Sequence, residues 1–295
     1  MDGKKNNIKI VFAGSPEFGS IILEKLVLAG FSISFVLTKP DKPAGRGKKP
    51  TLTPVKITSQ KYKIPVFTLQ NLTSDEAVNK LKTINPDLIV VAAYGKIIPR
   101  QILELPKYGV LNVHPSLLPK FRGPSPIQFA ILAGEEKTGV TIIQMSENLD
   151  EGDILAQTEI SISKDDTTLT LIEKLANLGA KLLIETIPKW TEGKIKPVPQ
   201  NHLEATYTAM LSKYDGKIDL KVPPDPEKFN RMVRAFRPWP GVYTELKIKN
   251  QKLKIIKFLP GNLIQPEGGK PMTIKEFLNG FPQARQLLEK LKLVE

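Results

Sequence analysis

Short apolar runs alternate with amphipathic stretches at helical spacing through the first 160 residues. The runs predict β-strands at 8–14, 32–38, 87–94, 110–113 and 139–145, with helices near 17–29, 54–62, 74–84, 99–104 and 124–133. The segment Leu88-Ile-Val-Val-Ala-Ala93 is apolar on both faces, as a central parallel strand must be. Residues 154–162 alternate and predict an antiparallel edge strand. This order of elements predicts an α/β fold, a doubly wound and mostly parallel sheet with helices on both faces. A long helix is expected over 167–189, ended by Pro188 and Trp190. From 191 to 208 the chain turns rich in Pro, Gly and polar residues without periodicity, which predicts a linker. The remainder predicts a helix at 226–235, strands at 242–248 and 252–258, and a closing helix near 273–292. The expected domains are thus 1–190, a linker at 191–208, and a smaller β domain at 209–295.

A length of 295 residues agrees with two domains. The absence of cysteine excludes disulfides, a thiolate nucleophile and thiolate metal ligands. His114 and His202 are the only histidines, so no metal is expected. The start, MDGKKNNIKI, leads directly into the first strand, and no apolar run reaches the roughly 18 residues of a membrane span. A cytoplasmic protein is expected, without membrane attachment. The net charge of +13 is uneven: residues 1–210 hold 26 basic and 21 acidic residues, whereas 211–295 hold 17 and 9. Such a basic final segment points to a polyanionic partner, nucleic acid first, with solubilising surface charge as the alternative.

The most informative local feature is Asn112-Val-His-Pro115, at the end of a short apolar strand. Alternate strand residues share a face, so Asn112 and His114 project together. Pro115 ends the ladder and puts the pair at a carboxyl edge, where open α/β sheets bind ligands. An amide beside an imidazole suits acyl transfer, one donating to a developing oxyanion and the other handling a proton. A carboxylate is needed to orient the ring, and Asp150, Glu151 and Asp153 in the following acidic loop are all open to that part. Ser116 makes a serine nucleophile conceivable, but the setting of a nucleophile elbow is missing. Gly14-Ser-Pro-Glu-Phe-Gly19 fits neither dinucleotide nor P-loop patterns and is expected to be a tight strand-to-helix turn. Thr38 to Lys49 carries five basic residues and one acid in twelve positions, an exposed loop suited to gripping phosphates.

Together these stretches resemble the methionyl-tRNA formyltransferases, within the folate-dependent formyltransferase family. The resemblance rests on Phe12-Ala-Gly-Ser-Pro-Glu-Phe18, Lys39-Pro-Asp-Lys-Pro-Ala-Gly-Arg-Gly-Lys-Lys49, Ala93-Tyr-Gly-Lys-Ile-Ile-Pro99 and Asn112-Val-His-Pro-Ser-Leu-Leu-Pro119 with Arg122-Gly123. Gly139-Val-Thr-Ile142, Leu149-Asp-Glu-Gly-Asp-Ile-Leu155 and Arg237-Pro-Trp-Pro-Gly241 extend it. It implies transfer of a formyl group from 10-formyltetrahydrofolate to the α-amino group of methionyl initiator tRNA, by a monomer that needs no metal. It also implies Asn112, His114 and Asp150 as the catalytic residues. Ser116, Leu117, Leu118 and Pro119 would contact folate, with the pterin beside Tyr94 and Gly95. Lys42, Arg46, Lys48, Lys49 and Arg237 would contact tRNA.

In that family the second domain is an OB-like barrel. Here only Leu259-Pro-Gly-Asn262 separates the strand at 252–258 from the closing 263–272 stretch, so a hairpin is missing and the barrel is expected to be open or collapsed. Two alternatives share parts of the pattern. A nucleotide-linked amino-sugar formyltransferase would keep Asn112, His114 and Asp150 without needing the basic loop. A non-catalytic RNA-binding module would not need the three groups.

Overall fold

The computed structural model describes residues 8–44, 49–68, 72–219, 221–247 and 253–294. A seven-stranded sheet is built from β1 (Ile10–Gly14), β2 (Ile33–Thr38), β5 (Val66–Thr68), β6 (Leu88–Ala92), β7 (Val110–His114), β8 (Lys137–Gln144) and β9 (Ile154–Ser161), in the order β5-β2-β1-β6-β7-β8-β9. The first five strands run parallel, β8 pairs antiparallel with β7, and β9 pairs antiparallel with β8. Every residue of β1, β6 and β7 is buried, which is why these runs lack polar alternation. The chain moves outward from β1 through β2 to β5, then returns to β6 on the other side of β1. That reversal places the carboxyl ends of β1 and β6 at the switch point of the sheet.

Right-handed crossovers put α1 (Glu17–Leu28) and α2 (Pro54–Lys61) on one face, and α3 (Asp75–Ile84) and α4 (Arg100–Leu103) on the other. Packing of α1 on α2, and of α3 on α4, agrees with this division. Val11, Ala13, Leu37, Ile89, Val91 and Val110 form one core with Ala77, Val78 and Leu81 of α3. Thr53 caps α2 by accepting from Lys56 N at 3.2 Å, and Ser74 caps α3 by accepting from Ala77 N at 3.3 Å. Gly19 lets α1 approach the sheet, because a Cβ there would stand 2.7 Å from the Ala92 carbonyl oxygen.

Three predicted elements differ. The basic loop is not wholly irregular: β3 (Lys42–Ala44) pairs antiparallel with β4 (Lys49–Thr51) at its base. The long helix α6 (Thr168–Thr191) continues past Pro188. A proline forfeits only its own N–H bond there, and the last turn is held by Glu192 N donating to Pro188 O and the Trp190 indole donating to Tyr108 O at 2.8 Å. The closing helix is two helices, α8 (Ile274–Gly280) and α9 (Arg285–Lys290), because Pro282 starts a separate 3-10 turn after Gly280.

The chain divides into two compact units. The first contains the seven-stranded sheet and residues 172–208. The second contains 127–136, 162–171 and 209–295, including most of α5 (Pro126–Ala133) and all of α7 (Pro226–Ala235). Its sheet is a meander of β10 (Val242–Lys247), β11 (Leu253–Leu259), β12 (Leu263–Pro266) and β13 (Met272–Thr273). Among the described residues this sheet has four strands, with an isolated parallel bridge from Lys217 to Tyr243 beside β10. The predicted strand ends at Ile248 and Lys252 lie outside the described residues.

Two measurements check this packing. Gly19→Ala gains helix propensity yet is expected to lower stability by about 1–2 kcal/mol in urea unfolding, because overpacking against backbone outweighs that gain. Tyr94 is buried in the same core, and burial pushes its phenol up to about 12. With the folded value raised, its contribution is complete below the ordinary value of 10 and is lost as pH climbs toward 12. Unfolding measured across that window should show part of the alkaline loss missing in Tyr94→Phe.

Candidate active site

Strand β7 supplies the first two groups. Val110, Asn112 and His114 share one face by alternation, and Val110 sits in the core on the α3 side. Asn112 and His114 are both buried, 9% and 4% exposed, although each carries polar atoms that need partners. The ring Nε2 donates to the Phe121 carbonyl oxygen at 3.0 Å. A carbonyl only accepts, so the neutral ring keeps its proton on Nε2 and leaves Nδ1 free to take one.

Asp150 completes the set. Its Oδ1 accepts from Asn112 Nδ2 at 3.3 Å and lies 3.6 Å from His114 Nδ1, and its Oδ2 accepts from Gly123 N at 2.8 Å. Of the three acids left open by sequence, Asp150 is the one beside the imidazole. Glu151 instead pairs with Arg122 at 3.0 Å, and the Asp153 carbonyl oxygen accepts from Gln144 N in the sheet. Asp150 has φ +53°, a left-handed conformation that aspartate tolerates better than most residues. Gly123 has φ +109°, and a Cβ there would stand 2.8 Å from the Thr208 carbonyl oxygen, so glycine is required for this N–H to reach the carboxylate.

The other predicted residues are placed unequally. The Ser116 hydroxyl donates to Lys120 O at 2.7 Å rather than to His114, which removes the arrangement a serine nucleophile needs. Leu118 is buried, its N donating to Thr141 Oγ1 and its carbonyl oxygen accepting from Gln157, while Leu117 and Pro119 are half-buried. Tyr94 lies in the core, and Gly95 is exposed with the Lys39 ammonium against it. Arg46 and Lys48 lie outside the described residues, and Lys42 and Lys49 fall in β3 and β4. Arg237 is exposed in the turn after α7, in the second unit. Among the described residues no group of three or more His, Asp or Glu is placed to hold a metal ion, and no helix is long and apolar enough to cross a membrane.

Sequence reasoning missed the frame around the site. Residues 206–208 run beside 121–123: Phe121 N donates to Thr206 Oγ1 at 2.8 Å, Arg122 N to Thr206 O, and Thr208 N to Arg122 O. Arg122 is completely buried, and its guanidinium donates to Gln200 Oε1, Glu151, Tyr207 and His202. Arg122-Gly123 carried a signal as a short polar break inside an apolar stretch. Gln200 carried none.

Known proteins match the chain over nearly its whole length. The formyl transferase family profile matches residues 7–187, and the formyl transferase C-terminal domain matches 210–263. The chain is 43% identical to methionyl-tRNA formyltransferase of Thermodesulfovibrio yellowstonii, over 92% of this chain and 95% of that protein. It is 44% identical to methionyl-tRNA formyltransferase of Bacillus thuringiensis subsp. konkukian, over 92% and 96%. The crystal structure of a 4-N formyltransferase from Francisella tularensis superposes with a TM-score of 0.66 at 18% identity, over 85% of this chain and 97% of that one, a likeness of fold. With both domains matched in order and more than 40% identity along nearly its whole length, the chain belongs to the methionyl-tRNA formyltransferase family.

Proposed function

We propose that this protein transfers the formyl group of 10-formyltetrahydrofolate to the α-amino group of methionyl initiator tRNA, acting as a monomer in the cytoplasm. The observation that carries the chemistry is the convergence of Asn112 and His114 on Asp150 at the end of β7, 3.3 and 3.6 Å from its Oδ1. Asn112 has two N–H groups and Asp150 occupies one, which leaves the other to donate to the formyl oxygen as negative charge builds there. His114 takes the proton from the attacking amine on Nδ1, since Nε2 is held by Phe121 O, and returns it to N10 of the departing folate. A carbon–nitrogen bond forms to the amine, the bond to N10 breaks, and the proton follows the leaving group. Asp150 offsets the charge that the ring gains between the two transfers. The site needs no metal for these steps.

In this reading residues 1–190 form the catalytic domain, 191–208 lead to the second part while their end packs beside residues 119–125, and 209–295 bind tRNA. The net +8 of residues 211–295 supports the last assignment by attracting phosphates. The half-buried Leu117 and Pro119 and the exposed Gly95 are the folate-side contacts we favour, with Ser116, Leu118 and Tyr94 shaping the walls behind them.

Incubating the purified protein with 10-formyltetrahydrofolate and either methionyl initiator tRNA or a panel of nucleotide-linked amino sugars tests the acceptor. Formyl-methionyl-tRNA is expected, and sugar formylation alone would overturn the reading. Asn112→Ala and Asp150→Ala should each lower turnover by about 10² or more with the fold intact by circular dichroism, and near-normal turnover in either would remove its assigned part. Arg46→Ala should weaken use of tRNA more than use of folate, measured as separate KM values; equal effects would refute a tRNA contact at the basic loop.

A further inference from the structure

Asp150 is not positioned by the sheet. Strand β8 runs antiparallel to β7, with His114 opposite Thr141 and Leu111 opposite Gln144. The loop after β8 therefore leaves toward the wrong end of β7 and must turn back to bring Asp150 beside His114. It does so with Asp150 in a left-handed conformation, so the loop needs outside anchors.

Those anchors come from Arg122 and Gln200, both buried. Gln200 Nε2 donates to the carbonyl oxygens of Asp150 at 2.8 Å and Gly152 at 2.7 Å. Its Oε1 accepts from Arg122 Nε at 3.1 Å and Nη2 at 2.8 Å. The amide has one possible orientation, because a guanidinium only donates and carbonyls only accept. Arg122 Nη1 also holds Glu151 at 3.0 Å. Residues 150, 151 and 152 are thus each tied, directly or through Gln200, to one buried cation. The neighbouring Gly123 N–H grips the Asp150 carboxylate itself.

We propose that Arg122 and Gln200 are positioning residues for the reaction, a brace that sets the Asp150 carboxylate against Asn112 and His114 without touching substrate. The proposal rests on the catalytic assignment of Asp150 above. Gln200→Leu should lower kcat about 10–100-fold while leaving KM for folate nearly unchanged, since about 1 Å of misplacement is enough for such a loss. Gln200→Glu keeps the acceptor atoms facing Arg122 and loses the donors to the loop, so it should show the same kcat loss in a near-isosteric fold. If Gln200→Leu fails to fold, Gln200→Glu takes its place in every comparison.

The deciding measurement is a double-variant cycle. A brace acting through Asp150 has nothing left to position in Asp150→Ala, so adding the Gln200 substitution should cause no further loss of kcat. Equal fractional losses in both backgrounds, or an unchanged kcat in the single Gln200 variants, would overturn the proposal. Near-normal turnover in Asp150→Ala alone would instead bring down the catalytic assignment, and the brace with it.

Discussion

The carboxylate of Asp150 is the point on which the site turns. It accepts hydrogen bonds from the Asn112 amide and the Gly123 N–H and lies within 3.6 Å of the His114 ring. These four groups come from three stretches: Asn112 and His114 from the end of β7, Gly123 from the turn that follows it, and Asp150 from the loop after β8. Buried polar groups must be paired, and here the pairing also sets an amide, an imidazole and a carboxylate side by side. The satisfaction of polar groups and the chemistry are therefore the same set of contacts.

The sheet explains why this set forms at β7. Parallel strands on one side of β7 give a carboxyl edge open to ligands, while antiparallel β8 on the other side delivers its acidic loop to the opposite end of the strand. Residues 112 and 150 meet because the loop after β8 turns back along β7 and is held there through Gln200 and Arg122.

Much of this was legible in the sequence, for stated reasons. The run Leu88–Ala92 is apolar on both faces, as a central strand must be, and Pro115 marks where the short strand from Val110 ends. Asn112 and His114 could be paired by strand alternation alone. The resemblance, rather than spacing, singled out Asp150 among three acids. What stayed hidden depends on long-range pairing. Strand β5 has only three residues, Val66–Thr68, too short to show a period. Pro188 looked like a helix end because tertiary anchoring through Trp190 is invisible to local rules. Residues 200–208 looked like a linker because their partners, Pro119 to Ser125, lie about 80 positions earlier and leave no periodic mark.

That last stretch has a consequence for the order in which the protein becomes competent. All three chemical groups have been synthesised by residue 150, yet the buried Arg122 guanidinium still lacks its principal acceptor until residue 200 emerges, and the strip beside residues 121–123 is not laid down until 208. A nascent chain that stops short of Gln200 lacks the side chain that joins Arg122 to the loop carrying Asp150. The sheet can therefore assemble early while its reactive edge stays loose. The brace on the Asp150 loop is completed only by residues 200–208.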